Sequence, residues 1–220
     1  MARAFDVITF DCYGTLIDWQ TGIAEAFRTA AAADGVTLKP AAILQAFFDE
    51  PPAAQRPYAT YREILTASAV RVGDRLGWAI GRDRAAFLPD SVARWPPFPD
   101  TNGALERLSR AGYELGILSN VDDDLLAGTR RHFTVSFPLL VTAQQVGSYK
   151  PAHGHFTTAR ERIDGRRWLH AAQSYFHDIT PAVANKVPVA WINRKSMPPA
   201  GAARADREYK TLTELADWLA

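Results

Sequence analysis

The residues best suited to chemistry follow a short apolar run near the start of the chain. The run Val7–Phe10 is β-branched and aromatic, which predicts a buried strand, and Gly14 breaks it. Asp11 therefore stands at the carboxyl end of this strand, with the aromatic ring of Tyr13 two residues later. Because ligands bind outside the carboxyl ends of strands in open α/β sheets, Asp11 is a candidate reacting carboxylate.

A second group of polar residues follows a later apolar run. Residues 113–118 predict another strand, and Ser119 and Asn120 come directly after it. A hydroxyl, an amide and loop N–H groups at a strand end are suitable donors to a carboxylate or an oxyanion. The same side chains could instead cap a helix that begins near Asp123. Because this strand should lie beside the strand of Asp11, we favour ligand binding by Ser119 and Asn120 over helix capping.

The composition excludes several classes of protein. The chain has 220 residues, 47% of them hydrophobic, and its 25 Lys and Arg residues balance 24 Asp and Glu residues. This balance argues against a nucleic-acid partner and favours a small molecule. No apolar run approaches the roughly 20 residues of a membrane helix, and the first strand begins too early for a signal peptide, so we expect a cytoplasmic protein without a membrane partner. Whether it forms a homodimer is left open.

The single cysteine narrows the chemistry further. Because Cys12 is the only cysteine in the sequence, the chain can form neither an internal disulfide nor a cysteine-based zinc site. A thiolate beside the Asp11 carboxylate is disfavoured by like charge. We therefore expect Cys12 to be a small buried residue.

The elements that position these residues fall into two blocks. Residues 18–95 are rich in Ala, Leu, Arg and Glu and lack strand-like runs, so they predict a helical insertion. Residues 1–17 and 96–220 alternate strands with helices, which predicts a parallel sheet covered on both faces. The expected fold is α/β, a Rossmann-like doubly wound parallel sheet with the helical insertion after the first strand. Within the insertion, helices are predicted at 21–33, 40–48, 58–76 and 83–95, with a loop at 51–57.

Residues 10–16 resemble the first motif of the haloacid dehalogenase superfamily, whose members use the residue at the position of Asp11 as a nucleophile. Phosphatases of that superfamily carry a second Asp where this chain has Tyr13. A phenol with an ordinary pKa near ~10 is a poor substitute for a carboxylate that exchanges protons near neutrality, which disfavours phosphate-ester hydrolysis. The segment is more similar to the type II 2-haloacid dehalogenase branch, in which the Asp attacks carbon.

The second and third motifs of the superfamily are matched as well. Ser119 and Asn120 resemble the second motif, which holds the anionic part of the substrate. Residues 147–151 resemble the third motif, in which one lysine, here Lys150, lies beside the nucleophile. A cation within a few ångströms keeps the Asp11 carboxylate ionised.

The fourth motif supplies metal-binding carboxylates in Mg²⁺-dependent phosphatases, and here it is altered. Gln173 stands where the first acid would be, which leaves Asp178 as the other. Because Lys150 would compete for the carboxylates, we expect no required metal and no cofactor. Asp178 has a second use, as a partner of Lys150 or as the group that orients water. Ser174 and His177 are candidate substrate contacts, although a lone histidine is more often structural.

The resemblance covers nearly the whole chain and implies a reaction. Asp11 would displace halide from C2 of a short (S)-2-haloacid, and water would then cleave the aspartyl ester. Thr15 would orient Asp11, while Lys150 and Asp178 would polarise the centre and position the water. Tyr13 would belong to the apolar wall around the substrate, a small carboxylate. The helical insertion would be the cap that closes over it.

Other functions stay open beside this one. The related L-azetidine-2-carboxylate hydrolase uses the same displacement at saturated carbon, but its amine leaving group stays tethered to the product. A small-molecule phosphatase would require Asp11 and Asp178 to capture Mg²⁺. A sheet that only binds ligands ranks last, because fold alone does not imply function.

Two departures from the branch bear on the substrate. Characterised dehalogenases often carry a tyrosine six residues after the lysine, where this chain has Phe156. They also carry an arginine early in the cap that helps to receive the halide, whereas residues 36–45 contain only Lys39 as a cation. The remaining candidates for that role are Arg28, Arg56 and Arg62.

Overall fold

Six short segments pair into one parallel sheet in the computed structural model, which describes residues 3–50 and 58–220. The strands are β1 (Val7–Phe10), β2 (Glu114–Ser119), β3 (Leu139–Thr142), β4 (Trp168–Ala172), β5 (Val189–Ile192) and β6 (Arg207–Tyr209). They lie in the order β3-β2-β1-β4-β5-β6, and all pairings are parallel. The α/β fold expected from the sequence is confirmed.

The central strands are buried on both faces, as the runs of apolar residues predict. Every residue of β1 and of β4 is buried, which is typical of a parallel sheet covered by helices. Strand β1 lies between β2 and β4, so the strand order reverses beside it. The residues that follow β1, β2 and β4 therefore meet at one edge of the sheet, at the position where open α/β sheets bind ligands.

The helices account for about half of the remaining described chain. They are α1 (Trp19–Ala33), α2 (Pro40–Phe48), α3 (Tyr61–Arg75), α4 (Arg82–Ala85), α5 (Phe87–Ser91), α6 (Thr101–Arg110), α7 (Asp123–Thr129), α8 (Ala143–Val146), α9 (Gly154–Ile163), α10 (Thr180–Ala184) and α11 (Leu212–Leu219). Among the described residues, none of these helices is long and apolar enough to cross a membrane.

The described chain divides into two units. The sheet unit contains the residues up to Ile17, together with Pro97–Asn120 and His132–Ala220. The helical unit contains Asp18–Pro96 and Val121–Arg131. The loop predicted at 51–57 lies outside the described residues.

One segment groups differently from the prediction. The sequence predicts residues 121–131 in the core with the rest of 96–220, whereas in the structure they belong to the helical unit. The reason is a helix cap, because the Asp122 carboxylate accepts the backbone N–H groups of Tyr61 and Arg62, each at 2.9 Å. Such bonds satisfy donors at the start of α3 that have no partner within the helix.

The helical unit has its own apolar core. Helix α1 buries Ile23, Phe27 and Ala31, which recur every four residues on one face. The Phe27 ring packs edge-on against Phe87 at 5.1 Å and against Trp78 at 6.3 Å between centroids. These contacts tie α1 to α5 and to the segment after α3.

Two predicted elements differ in the structure. The helix predicted over 83–95 is divided into α4, α5 and a 3₁₀ turn, because Pro89 has no N–H to donate to the carbonyl of Ala85. Strand β6 was not predicted. It is a three-residue edge strand of polar and aromatic residues, with no apolar run to indicate it.

Substituting Gly22 by Ala should destabilise the protein by about 1–3 kcal/mol, because an added Cβ would lie 2.2 Å from Cγ of the buried Trp95. Urea unfolding measures the change. Gly103→Ala is the matched control, since this helical glycine has no atom within 4 Å of an added Cβ. The control should be neutral or more stable by up to about 1 kcal/mol. Equal effects in the two variants would contradict the packing argument.

Candidate active site

The turn after β1 brings the Thr15 hydroxyl back to Asp11. Gly14 has φ 105°, a backbone conformation that favours glycine, and its N–H donates to the carbonyl of Ile17 at 2.8 Å. Thr15 Oγ1 then donates to Asp11 Oδ2 at 3.0 Å, and both side chains are buried. The turn thus holds one oxygen of the candidate nucleophile.

The Thr15 hydroxyl is itself held by residues from other strand ends. The backbone N–H of Gln173, which follows β4, donates to Thr15 Oγ1 at 2.9 Å. The hydroxyl therefore directs its own hydrogen to Asp11. Arg194, which follows β5, donates to the Thr15 carbonyl at 2.8 Å and packs 4.0 Å from the centroid of the Phe98 ring. Thr15 is fixed in both its backbone and its side chain.

The ammonium group of Lys150 binds the second oxygen of Asp11. Lys150 Nζ lies 3.0 Å from Asp11 Oδ1, 2.5 Å from Asp178 Oδ1 and 2.7 Å from the carbonyl oxygen of Leu118. An ammonium has three hydrogens, and each has an acceptor here. The Lys150 side chain is only 1% exposed, so two carboxylates and a carbonyl replace water around the charge.

Asn120 holds the backbone of Lys150 in place. The Asn120 side-chain oxygen accepts the Lys150 N–H at 2.7 Å, and its amide nitrogen donates to the Lys150 carbonyl at 3.1 Å. The predicted second-motif residue therefore contacts the predicted third-motif residue. Asn120 therefore positions the Lys150 cation.

The two carboxylates share one cation and ionise unequally. Burial raises the pKa of Asp11, and so does the charge of Asp178, while Lys150 opposes both; the pKa of Asp11 is raised overall. Burial also raises the pKa of Asp178, but Lys150 and a hydrogen bond from His170 outweigh it and lower that pKa to about 2. Despite burial, the two carboxylates raise the pKa of Lys150. Because the two carboxylates share one ammonium, they take up protons as a coupled pair.

Asp178 lies in a π-helical turn, Tyr175–Ile179, just beyond β4. Its Oδ1 atom binds Lys150 and lies 3.1 Å from Nε2 of His170. Its Oδ2 atom is buried and has no hydrogen-bond partner in the part of the chain that the structure describes. Such an oxygen can accept a hydrogen bond from a water molecule or from a substrate.

Ser174 and His177 are the other two predicted substrate contacts, and Ser174 holds the His177 ring in place. Ser174 Oγ accepts the His177 backbone N–H at 3.1 Å and lies 3.1 Å from Nδ1 of the same residue. With the serine hydroxyl donating its hydrogen to Nδ1, the ring would carry its own hydrogen on Nε2. Burial lowers the pKa of His177, which makes it a neutral donor at neutral pH.

The remaining predicted residues are placed less directly. The Ser119 hydroxyl is fully buried and has no hydrogen-bond partner among the described residues, while the Ser119 carbonyl accepts a hydrogen bond from His155 at 3.0 Å. Tyr13 is half-buried in the turn after Asp11. Cys12 is fully buried, as expected, and burial raises its pKa.

Two of the three arginines considered for the halide are engaged elsewhere in the helical unit. Arg28 binds both oxygens of Glu25, at 2.6 and 2.8 Å. Arg62 pairs with Asp90 at 2.7 Å and with Asp124 at 2.8 Å. Arg56 lies outside the described residues.

The carboxylates that could bind Mg²⁺ are already paired with a side-chain cation. The ammonium of Lys150 lies between Asp11 and Asp178 and offsets the negative charge that a divalent cation would need. Gln173 adds no charge to the site. Across residues 3–50 and 58–220, no group of three or more His, Cys, Asp and Glu side chains is placed to hold a metal ion.

The fold and the site define an α/β protein with a buried carboxylate, Asp11, at the carboxyl end of its first strand. The sequence profile described as haloacid dehalogenase-like hydrolase matches residues 5–172, and the chain belongs to this family. The haloacid dehalogenase-like hydrolases are the superfamily that the motifs predicted.

Individual relatives agree with this membership. An (S)-2-haloacid dehalogenase from Pseudomonas putida is 27% identical over 152 residues, which is 66% of this chain and 65% of that protein. The crystal structure of an L-2-haloacid dehalogenase superposes with a TM-score of 0.83 at 24% identity and covers 98% of both chains. The L-2-haloacid dehalogenase from Xanthobacter autotrophicus, with chloropropionic acid covalently bound, superposes with a TM-score of 0.81 at 20% identity and covers 97% of both. At these identities the two structures show the fold.

Sequence reasoning missed the histidine bound to Asp178. His170 is the only titratable side chain in β4, and Thr9 carries the only hydroxyl in β1. The two residues are register partners in the sheet. A polar residue inside each of two apolar runs is visible in the sequence and could have indicated a buried polar contact between the two strands.

Replacing Lys150 by Met should destabilise the protein by about 3 kcal/mol or more at pH 7, because the Asp11 and Asp178 carboxylates lose their buried counter-charge. Without the cation their pKa values in the folded state rise above those in the unfolded chain. Such groups destabilise most above the folded pKa, so the deficit should shrink as the pH falls.

Urea unfolding at pH 5 and pH 7 measures this dependence. The control is Lys210→Met, which removes an exposed lysine charge and should change stability by less than about 0.5 kcal/mol. A deficit of the Lys150 variant that grows on acidification would contradict the assigned pKa directions.

Proposed function

We propose that this hydrolase converts short (S)-2-haloacids into 2-hydroxy acids through an ester formed on Asp11. The observation that carries the proposal is the buried Lys150 ammonium between Asp11 and Asp178. This ion cluster holds the Asp11 carboxylate in a fixed position for attack. The Pseudomonas relatives, named as (S)-2-haloacid dehalogenases, support the same substrate class.

In the first step an Asp11 oxygen attacks C2 of the substrate opposite the halogen. The new bond joins Asp11 and C2, the carbon–halogen bond breaks, and the halogen leaves as halide with the bonding electrons. The hydrogen bonds from Thr15 and Lys150 fix the plane of the attacking carboxylate, which reduces the entropy lost on reaching the transition state.

In the second step water cleaves the ester at the Asp11 carbonyl carbon. The water oxygen bonds to that carbon, the bond to the substrate oxygen breaks, and a proton from the water passes to the hydroxy acid. The unpartnered Oδ2 of Asp178 is the acceptor we assign to this water. Lys150 stabilises the oxyanion that forms on Asp11.

The substrate carboxylate needs hydrogen-bond donors near the strand ends. We assign to this role the backbone N–H groups at Ser119 and Asn120, together with the Nε2 hydrogen of His177. Tyr13 supplies apolar surface beside Asp11. This assignment keeps the predicted residues but gives the Asn120 side chain a second task, the placement of Lys150.

A second candidate reaction is the ring opening of L-azetidine-2-carboxylate. One observation favours it, because Arg28 and Arg62 already carry ion pairs and the ring opening releases no halide. The attack by Asp11 and the hydrolysis of the ester would be unchanged. Only the leaving group would differ.

The test incubates the purified protein with L- and D-2-chloropropionate and with L-azetidine-2-carboxylate, and measures chloride and ring-opened product. We expect chloride from the L-isomer, and a loss of at least about 10³-fold in Asp11→Asn, because an amide is not a nucleophile for this step. The control is Asp6→Asn, at the opposite end of β1, where the carboxylate pairs with Arg167. This control should retain its activity.

A single turnover in ¹⁸O-water tests the intermediate. Water attacks the Asp11 carbonyl, so one ¹⁸O atom should appear in the Asp11 peptide and unlabelled oxygen in the first product. Label in the product alone would refute the ester. Ring-opened product without chloride would favour the azetidine reaction over dehalogenation. Phosphate-ester hydrolysis that is abolished by a chelator would overturn both of these reactions.

A further inference from the structure

His170 forms a buried hydrogen-bonded chain with Thr9 that the proposed reaction does not use. His170 Nδ1 lies 2.8 Å from Thr9 Oγ1, and His170 Nε2 lies 3.1 Å from Asp178 Oδ1. The indole N–H of Trp168 donates to Thr9 Oγ1 at 2.7 Å. Thr9, His170 and Asp178 are fully buried, so their hydrogen bonds are made with protein groups.

The groups at the two ends of this chain, the Trp168 indole and the Asp178 carboxylate, determine which atom donates in each hydrogen bond. The Trp168 indole can only donate, so Thr9 Oγ1 accepts from it. Within the described part of the chain, the acceptor left for the Thr9 hydrogen is Nδ1 of His170. The ring then carries its hydrogen on Nε2, where the Asp178 carboxylate accepts it. Donors run in one direction, from Trp168 through Thr9 and His170 to Asp178.

The surroundings hold the His170 ring in this orientation. Phe156 packs edge-on against it at 5.2 Å between centroids and is itself fully buried. This is the residue that replaces the tyrosine of characterised dehalogenases, and its ring has no hydroxyl to offer. His170 and Lys150 are therefore the side-chain donors described at Asp178.

We propose that His170 is a positioning residue, which donates from Nε2 to Asp178 and so keeps this carboxylate charged and its second oxygen available to the reacting water. It acts through Asp178 and does not touch the substrate. Its effect on turnover rests on the proposed function, whereas its effect on the ionisation of Asp178 does not.

The charged and titratable groups that face Asp178 set the expected pH dependence. Lys150 binds it, Asp11 competes for the same ammonium, and His155 and His177 lie close enough to interact electrostatically. Loss of a hydrogen bond to the charged form raises the proton affinity of the Asp11–Asp178 pair. The acid limb of activity should then move to higher pH.

Three variants separate positioning from packing. In His170→Phe the ring remains but the donor is lost, and we expect the acid limb of kcat/KM for L-2-chloropropionate to rise by about one pH unit, with a loss of up to about tenfold at pH values below the limb. His170→Gln retains an N–H donor and should restore the profile to within about 0.3 units. The control, His155→Phe, makes the same change at a buried histidine that binds a carbonyl and should leave the acid limb in place.

Two readouts are independent of any substrate. NMR spectra of protein with ¹⁵N-labelled histidine, assigned with His170→Gln, should show a hydrogen on Nε2 of His170 and none on Nδ1. Asp178, with its lowered pKa, stabilises the fold above its ordinary pKa and loses this contribution as the pH falls towards 2. The midpoint of acid unfolding should therefore move to higher pH in His170→Phe than in His170→Gln.

The outcomes discriminate between the claims. An Nδ1–H tautomer, or identical acid-unfolding midpoints in His170→Phe and His170→Gln, would overturn the positioning role. If the substrate-free readouts hold and no halide is released, the positioning role stands and the proposed function fails. If His170→Phe does not fold, the tautomer and the pH profile of His170→Gln decide.

Discussion

The structure depends on one buried cation. The ammonium of Lys150 lies between Asp11 and Asp178, and removing it would leave two carboxylates without solvent or counter-charge. Burying three charged groups costs more free energy than an isolated ion pair returns, so the arrangement survives only with every hydrogen and lone pair well placed. The Thr15 turn and the contacts of Asn120 are the supports that meet this requirement.

Much of the site could be predicted because its residues follow apolar runs. A polar side chain that directly follows a buried strand is visible in the sequence, and the adjacency of parallel strand ends then brings Asp11, Ser119 and Asp178 together. Lys150 was found through the resemblance of residues 147–151 to a known motif. The family membership and the parallel sheet were predicted from the same junctions.

What could not be predicted depends on register and on local bonding. His170 matters because it faces Thr9 across two strands, and that pairing is known only when the strands are placed side by side. The Asn120 side chain was expected to serve a ligand, but its two polar groups bind the Lys150 backbone. Residues 121–131 group with the helical unit because Asp122 caps α3. The sequence does not show this capping role, because α3 lies about 60 positions earlier in the chain.

The ion cluster also constrains the order of events in folding. Lys150 and Asp11 are separated by 139 positions along the chain, and their contact requires β1, β2 and β4 to be paired. A partly folded chain with any of these strands missing would hold an uncompensated charge in an apolar sheet edge, which makes such states unfavourable. The ion cluster therefore increases folding cooperativity, since its charges are compensated in the interior only when these strands are paired.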